Sequence, residues 1–266
     1  MDLYLGAKRA LITGGSKGIG LAVARQLARE GADLVLAARN LPVIERAAES
    51  VAAESGRRVI PLAFDAGDDA SVAKLIAGAT DALGGIDILV NSAAIPDGGV
   101  RPPRLAEVHN DLFWDDIDVK VMGYLRTSRE VAPHMIRAGW GRIVNIAGLT
   151  VRRTGSIIGS IRNASVAALT KNLAEELGPQ GINVTVVHPA FTLTERSEAV
   201  FERLAAARGV TPGEVEAGFS RLTSIGRIVA AEEVADVVAF MCSPRSVGIN
   251  GDAIACGGGL VGSIYY

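Results

Sequence analysis

The stretch Arg9-Ala10-Leu11-Ile12-Thr13-Gly14-Gly15-Ser16-Lys17-Gly18-Ile19-Gly20 decides the fold. Its apolar run Ala10-Leu11-Ile12 does not alternate with polar residues, so Arg9–Thr13 is expected as a strand covered on both faces. Gly14, Gly18 and Gly20 permit a tight turn and a close backbone approach to a pyrophosphate. That group would rest on the N–H groups at the start of a helix expected over Gly18–Arg29. The spacing is G-x-x-x-G-x-G, not G-x-G-x-x-G. A glycine loop means little alone; its place between a first strand and a first helix gives it weight.

Outward from this unit the pattern keeps alternating. Strands are expected at 9–13, 33–38, 58–62, 86–91, 142–146, 182–187 and 252–256, and helices at 18–29, 42–55, 70–83, 115–137, 160–177 and 232–241. Ile88-Leu89-Val90 is apolar on both faces like the first strand. The expectation is one α/β unit over residues 1–266: a Rossmann-type, doubly wound parallel sheet with helices on both faces and right-handed crossovers. Gly31, Gly56, Gly84-Gly85, Gly139 and Gly178 sit where helices should stop. Two segments resist the pattern, 96–110 and 192–224; the second is expected to form a lid over the carboxyl ends of the strands.

Composition narrows the function. The chain has 266 residues, 49% hydrophobic and 21% charged, which supplies a large core and little basis for disorder. A formal charge of −2 argues against attraction to nucleic acid or anionic lipid. Apolar runs fall short of the ~18–20 residues of a membrane span, and no secretory leader is evident at the N-terminus. A soluble cytoplasmic protein is expected. Cys242 and Cys256 cannot make a disulfide framework and read as small core residues. His109, His134 and His188 lack metal-ligand spacing, so no metal is expected. His188 ends the sixth strand beside Pro189, close to the expected site, and His109 with Phe113 and Trp114 could line the pocket mouth.

Thr13-Gly14-x-x-x-Gly18-Ile19-Gly20 resembles the signature of the classical short-chain dehydrogenase/reductase family. Further landmarks follow in that family's order: Asp65, Asn91-Ser92-Ala93-Ala94, Gly141-Arg142-Ile143-Val144-Asn145-Ile146, Pro189-Ala190-x-x-x-Thr194, and Asn250-Gly251 with Gly257-Gly258. The likeness spans essentially the whole chain. It implies an oxidoreductase that binds a nicotinamide dinucleotide. Ser16 and Ile19 would meet phosphates, Asp65 the adenine, and Asn91 with Ala93 the adenosine ribose side. Thr192 and Thr194, after Pro189, would hold the carboxamide. The resemblance also implies a homodimer or homotetramer through two long helices and the last strand, with the apolar tail 260–266 suited to an interface.

Charge bears on which dinucleotide binds. The second strand ends Ala37-Ala38-Arg39, without the carboxylate that receives a ribose 2′-OH. Lys17 and Arg39 would instead flank a 2′-phosphate, so NADP(H) is expected over NAD(H).

The family's proton-transfer residues are where the resemblance breaks. Alignment puts Lys120 at the usual Asn, Gly148 at the Ser, Arg162 at the Tyr and Val166 at the Lys. The four tyrosines are Tyr4, Tyr124, Tyr265 and Tyr266, so no local gap returns one to the helix near Ser160. A repurposed site is expected, in which the Lys120 ammonium replaces the missing lysine against the nicotinamide ribose, Arg162 polarises a carbonyl or clamps an anion, and solvent supplies the proton, since a guanidinium does not donate near neutral pH. Lys120, Arg152, Arg153 and Arg162 together suggest a small anionic carbonyl, enone or imine substrate, with Ser156, Ser160 and Asn163 as nearby polar candidates. Three bland alternatives stand beside this reading: an ion pair of Lys120 with Asp116 or another nearby carboxylate, Arg162 as a packing or interface residue, and Arg152 and Arg153 as solvated loop charges. At the level of function, the alternatives are a coenzyme-binding sensor without catalysis and a non-redox lyase or hydratase.

Overall fold

The computed structural model describes residues 1–95, 101–262 and 264. Five strands and their helices follow from the N-terminus: β1 (Arg9–Thr13), α1 (Gly18–Arg29), β2 (Asp33–Ala38), α2 (Leu41–Ser55), β3 (Val59–Ala63), α3 (Asp69–Leu83), β4 (Ile88–Asn91), α4 (Asn110–Ile117), α5 (Gly123–Ala138) and β5 (Gly141–Ile146). The C-terminal half adds α6 (Ile157–Leu177), β6 (Ile182–Pro189), β7 (Thr192–Leu193), α7 (Ser197–Arg208), α8 (Pro212–Ser220), β8 (Val229–Ala230), α9 (Ala231–Cys242) and β9 (Ala253–Cys256).

Seven strands form one sheet in the order β3-β2-β1-β4-β5-β6-β9, and every pairing is parallel. The unbroken apolar run in β1 has its reason here: Ala10, Leu11 and Ile12 are each fully buried. Ala10 and Ile12 face a core built with α1, α2 and α9, and Leu11 faces one built with α3, α5 and α6. The sheet is the doubly wound α/β arrangement expected from the sequence. Strand order reverses between β1 and β4, which opens a crevice at their carboxyl ends.

Some boundaries differ. The single helix expected at 115–137 is two helices, α4 and α5, joined by a π-turn over Asp118–Met122 that carries Lys120. Gly178 does not end α6 in a left-handed turn: its φ is −54°, and Pro179 continues into a short 3-10 turn closed by Gly181 at φ +82°. α6 begins earlier than expected, because the Ser156 hydroxyl accepts from the Gly159 amide at 3.1 Å and starts the helix there.

The 192–224 excursion is clipped at its base by β7 pairing with β8. Phe191, just before it, stacks on Phe201 and Phe219 within it, with Phe191 and Phe219 centroids 4.2 Å apart, and the three give α7 and α8 a small core of their own. Part of the irregular 96–110 segment (96–100) and part of the expected tail (263, 265 and 266) lie outside the described residues. No described helix is long and apolar enough to cross a membrane.

Candidate active site

A cleft of about 980 Å³ lies over the carboxyl ends of β1, β4, β5 and β6. The glycine loop forms one end. Gly14 and Gly18 have φ of +69° and +56°, left-handed values that favour glycine. A Cβ on Gly14 would come within 2.8 Å of the Ala93 amide nitrogen, and one on Gly20 would press into the Gly14 carbonyl. These glycines therefore let α1 start close beneath the ends of β1 and β4, a cradle that fits a pyrophosphate at a helix N-terminus. The Thr13 hydroxyl accepts from the Ser92 and Ala93 amides at 3.2 and 3.4 Å and so fixes the neighbouring loop.

Gly14, Ser16, Lys17, Gly18, Ile19 and Gly20 all line this end. Arg39 and Asp65 line it from the ends of β2 and β3, and Ala93 from that of β4. Lys17 and Arg39 are exposed, and neither side chain has a partner among the described residues. Asn91 lies behind the wall, fully buried: its amide donates to Asn145 at 3.0 Å and its carbonyl accepts from Thr127 at 2.8 Å. Its side chain ties β4 to β5 and α5, while Ser92, Ala93 and Ala94 line the cleft on that side. Pro189, Thr192 and Thr194 line the cleft from the β6 side, with the Thr192 hydroxyl donating to the Ala190 carbonyl at 3.2 Å.

The other end is cationic and buried. Lys120, 5% exposed, points from the π-turn and donates to the Ala147 carbonyl at 3.2 Å. Asp116, weighed in the sequence as a partner of Lys120, meets Arg162: Arg162 Nη1 lies 2.6 Å from Asp116 Oδ2, from α6 across to α4. Arg162 is thus a packed and ion-paired cation as well as a wall of the cleft. Arg153 lines the cleft; Arg152 does not. Val166 is fully buried against Tyr124 and Val186, in the core.

Gly148 lines the cleft, and a Cβ there would meet the Asn163 amide nitrogen at 3.0 Å. That nitrogen donates to the Thr150 hydroxyl at 2.6 Å, while Asn163 Oδ1 is buried without a partner. Ser160 faces away, its hydroxyl donating to the Arg153 carbonyl at 3.1 Å. His188 is buried just behind, with Nδ1 3.1 Å from the Gly148 carbonyl oxygen. Burial, with added repulsion from Arg152 and Lys120, outweighs the Gly148 hydrogen bond and lowers its pKa to about 4. A ring kept neutral in this way is a spacer under the Gly148 loop and not a proton carrier near neutrality. Tyr124 is buried with its hydroxyl on the Ile146 carbonyl at 2.9 Å, its pKa raised by burial. No tyrosine among the described residues lines the cleft.

A family model described as "Enoyl-(Acyl carrier protein) reductase" matches residues 14–261 of this architecture. The chain belongs to the short-chain dehydrogenase/reductase family. Among its curated relatives, the short-chain reductase protein NovJ of Streptomyces niveus is 32% identical over 94% of this chain and 92% of its own length. Gluconate 5-dehydrogenase of Gluconobacter oxydans is 32% identical over 99% and 98%. The crystal structure of L-sorbose reductase from Gluconobacter frateurii, complexed with NADPH and L-sorbose, superposes with a TM-score of 0.93 at 29% identity, covering 99% of this chain and 100% of that one. This short-chain dehydrogenase/reductase is an oxidoreductase.

Sequence reasoning missed two residues in this site. Asp116 was weighed only against Lys120, four positions along the chain, whereas its partner comes from another helix. Glu195 follows Thr194 directly and accepts from the Gly18 amide through both carboxylate oxygens at 3.1 Å. Nothing in the spacing signals that contact, which spans the molecule.

Proposed function

We propose that this protein is an NADP(H)-dependent reductase of small anionic substrates bearing a carbonyl, an enone or an imine, with Lys120 and Arg162 as fixed positive groups in place of a proton-donating side chain. One observation carries the reading: both cations are buried in the wall of the same cleft that holds the glycine loop, and no described tyrosine reaches that cleft. Bound reduced coenzyme would supply a hydride. Lys17 and Arg39, exposed and unpartnered among the described residues, support a 2′-phosphate at the adenosine end.

At the reacting end, hydride addition leaves negative charge on oxygen or nitrogen, or on an enolate for an enone. Lys120 and Arg162 are already oriented, by the Ala147 carbonyl and by Asp116, so they stabilise that charge without rearranging. Water then provides the proton, because a guanidinium holds its own. Arg153, on the same wall, favours a substrate that carries a carboxylate or phosphate. The 192–224 segment is the lid that closes this end. The residues 1–266 act as one domain, and exposed Leu112 and Trp114 on α4 with Ile157 and Ile161 on α6 support a homodimer or homotetramer.

The test is NADPH oxidation followed by absorbance over a panel of keto acids, carboxylated enones and imines. Lys120→Met and Arg162→Met are expected to lower kcat/KM about 100-fold or more while NADPH still binds, the scale of removing a preorganised charge. NADPH binding with no turnover across the panel would replace this reading with a coenzyme-binding sensor. Product without coenzyme consumption would replace it with a lyase or hydratase.

A further inference from the structure

We propose that Glu195 is a built-in competitor for the pyrophosphate of the coenzyme, and that the strap Thr194-Glu195-Arg196 exchanges an acidic for a basic side chain when coenzyme enters. The proposal rests on the reading of the cleft as a dinucleotide site. Both carboxylate oxygens of Glu195 accept from the Gly18 amide at 3.1 Å. That amide opens α1, where the positive end of the helix dipole lies, and the N-cap residue Lys17 offers no side-chain acceptor of its own. A pyrophosphate on this turn needs the same N–H. One N–H does not serve two anions, and a carboxylate left beside a pyrophosphate repels it.

The strap is built to move. Glu195 is exposed, so turning it into water costs little. Arg196, the next residue, lines the cleft, and its guanidinium has no hydrogen bond or ion pair among the described residues. Withdrawal of the acid therefore leaves a basic group at the same edge of the cleft. Ser197 couples the strap to the lid: its hydroxyl accepts from the Thr194 amide at 2.9 Å and donates to the Thr192 carbonyl at 3.4 Å, and it opens α7. Coenzyme entry thus pulls on the first helix of the 192–224 segment.

Neighbouring residues should then affect binding with opposite signs. Titration of NADPH by fluorescence is expected to show Glu195→Ala binding about three- to tenfold tighter than wild type, since the competitor's occupancy no longer taxes the ligand. Arg196→Ala should bind about three- to tenfold weaker through the loss of a charge-assisted contact. Glu198→Gln, an equal change of charge just inside α7, should stay within about twofold. Adenosine 2′-monophosphate has no group to reach the helix turn and should bind wild type and Glu195→Ala within about twofold of each other. A strap that merely supports the cleft would lose affinity in both alanine variants, and that outcome overturns the proposal. So does equal NADPH affinity of wild type and Glu195→Ala, or an equal gain for adenosine 2′-monophosphate. Absence of NADPH binding to wild type sinks the coenzyme reading itself, and this proposal with it.

Discussion

At one end of the cleft, Arg39 stands in water beside the glycine loop, with no partner among the described residues. At the other end, Arg162 is 8% exposed and locked to Asp116 at 2.6 Å. The contrast follows from solvation. A cation in water costs nothing to leave unpaired and waits for a ligand that brings its own negative charge. A cation taken out of water must find its partners within the protein, because burying it alone is prohibitive. On the proposed function, one end serves ligand affinity alone, and the other serves structure and chemistry at once. Variants at the two ends should fail in different ways.

The largest effect is expected at the buried pair. Arg162→Met strands the Asp116 carboxylate and should cost about 3 kcal/mol in urea unfolding, near the low end for a broken buried pair because both partners keep some solvent contact. The double variant Asp116→Leu/Arg162→Met removes the stranded charge and should recover most of that stability without recovering turnover. Recovery of both would mean that Arg162 has no part in the reaction.

His188 gives the next effect. Its pKa in the folded protein is about 4 against an ordinary 6.5, so between these values the unfolded chain binds a proton that the folded chain refuses. Stability is whole above pH 6.5 and is lost as pH falls toward 4, by about 3 kcal/mol at the limit. Unfolding measured at pH 7 and pH 4.5 should show that loss in wild type and much less of it in His188→Gln. An unchanged slope in the variant would place the sensitivity elsewhere.

The smallest effect is at the exposed end. Arg39→Ala should weaken NADPH about tenfold, near 1.4 kcal/mol, leave NADH within twofold, and not alter stability. Equal losses for both coenzymes would show that Arg39 does not recognise a 2′-phosphate, and the contrast between the two ends would lose its first half.

Much of the molecule was legible from local pattern. Gly18–Arg29 and Arg9–Thr13 were read to their observed bounds, because an apolar run, a glycine turn and an amphipathic helix are all short-range signals. The helix expected at 115–137 was not, since a π-turn changes the hydrogen-bond register without changing the apolar period enough to mark it. In the site, the glycine loop and the positions Lys120, Gly148, Arg162 and Val166 were visible in order along the chain. What each of them touches was not.

The sequence by itself determined the parallel doubly wound sheet, the place of the glycine loop and the absence of a tyrosine from α6. These are properties of neighbours along the chain and of which residue types are present at all. Only the tertiary structure decided that Asp116 holds Arg162, that Val166 belongs to the core, and that Glu195 reaches Gly18. Those are pairings across α4 and α6, α6 and the sheet, and the 192–224 segment and α1. Choice among several acids and bases depends on burial and on a few ångströms of reach, and one-dimensional spacing carries neither.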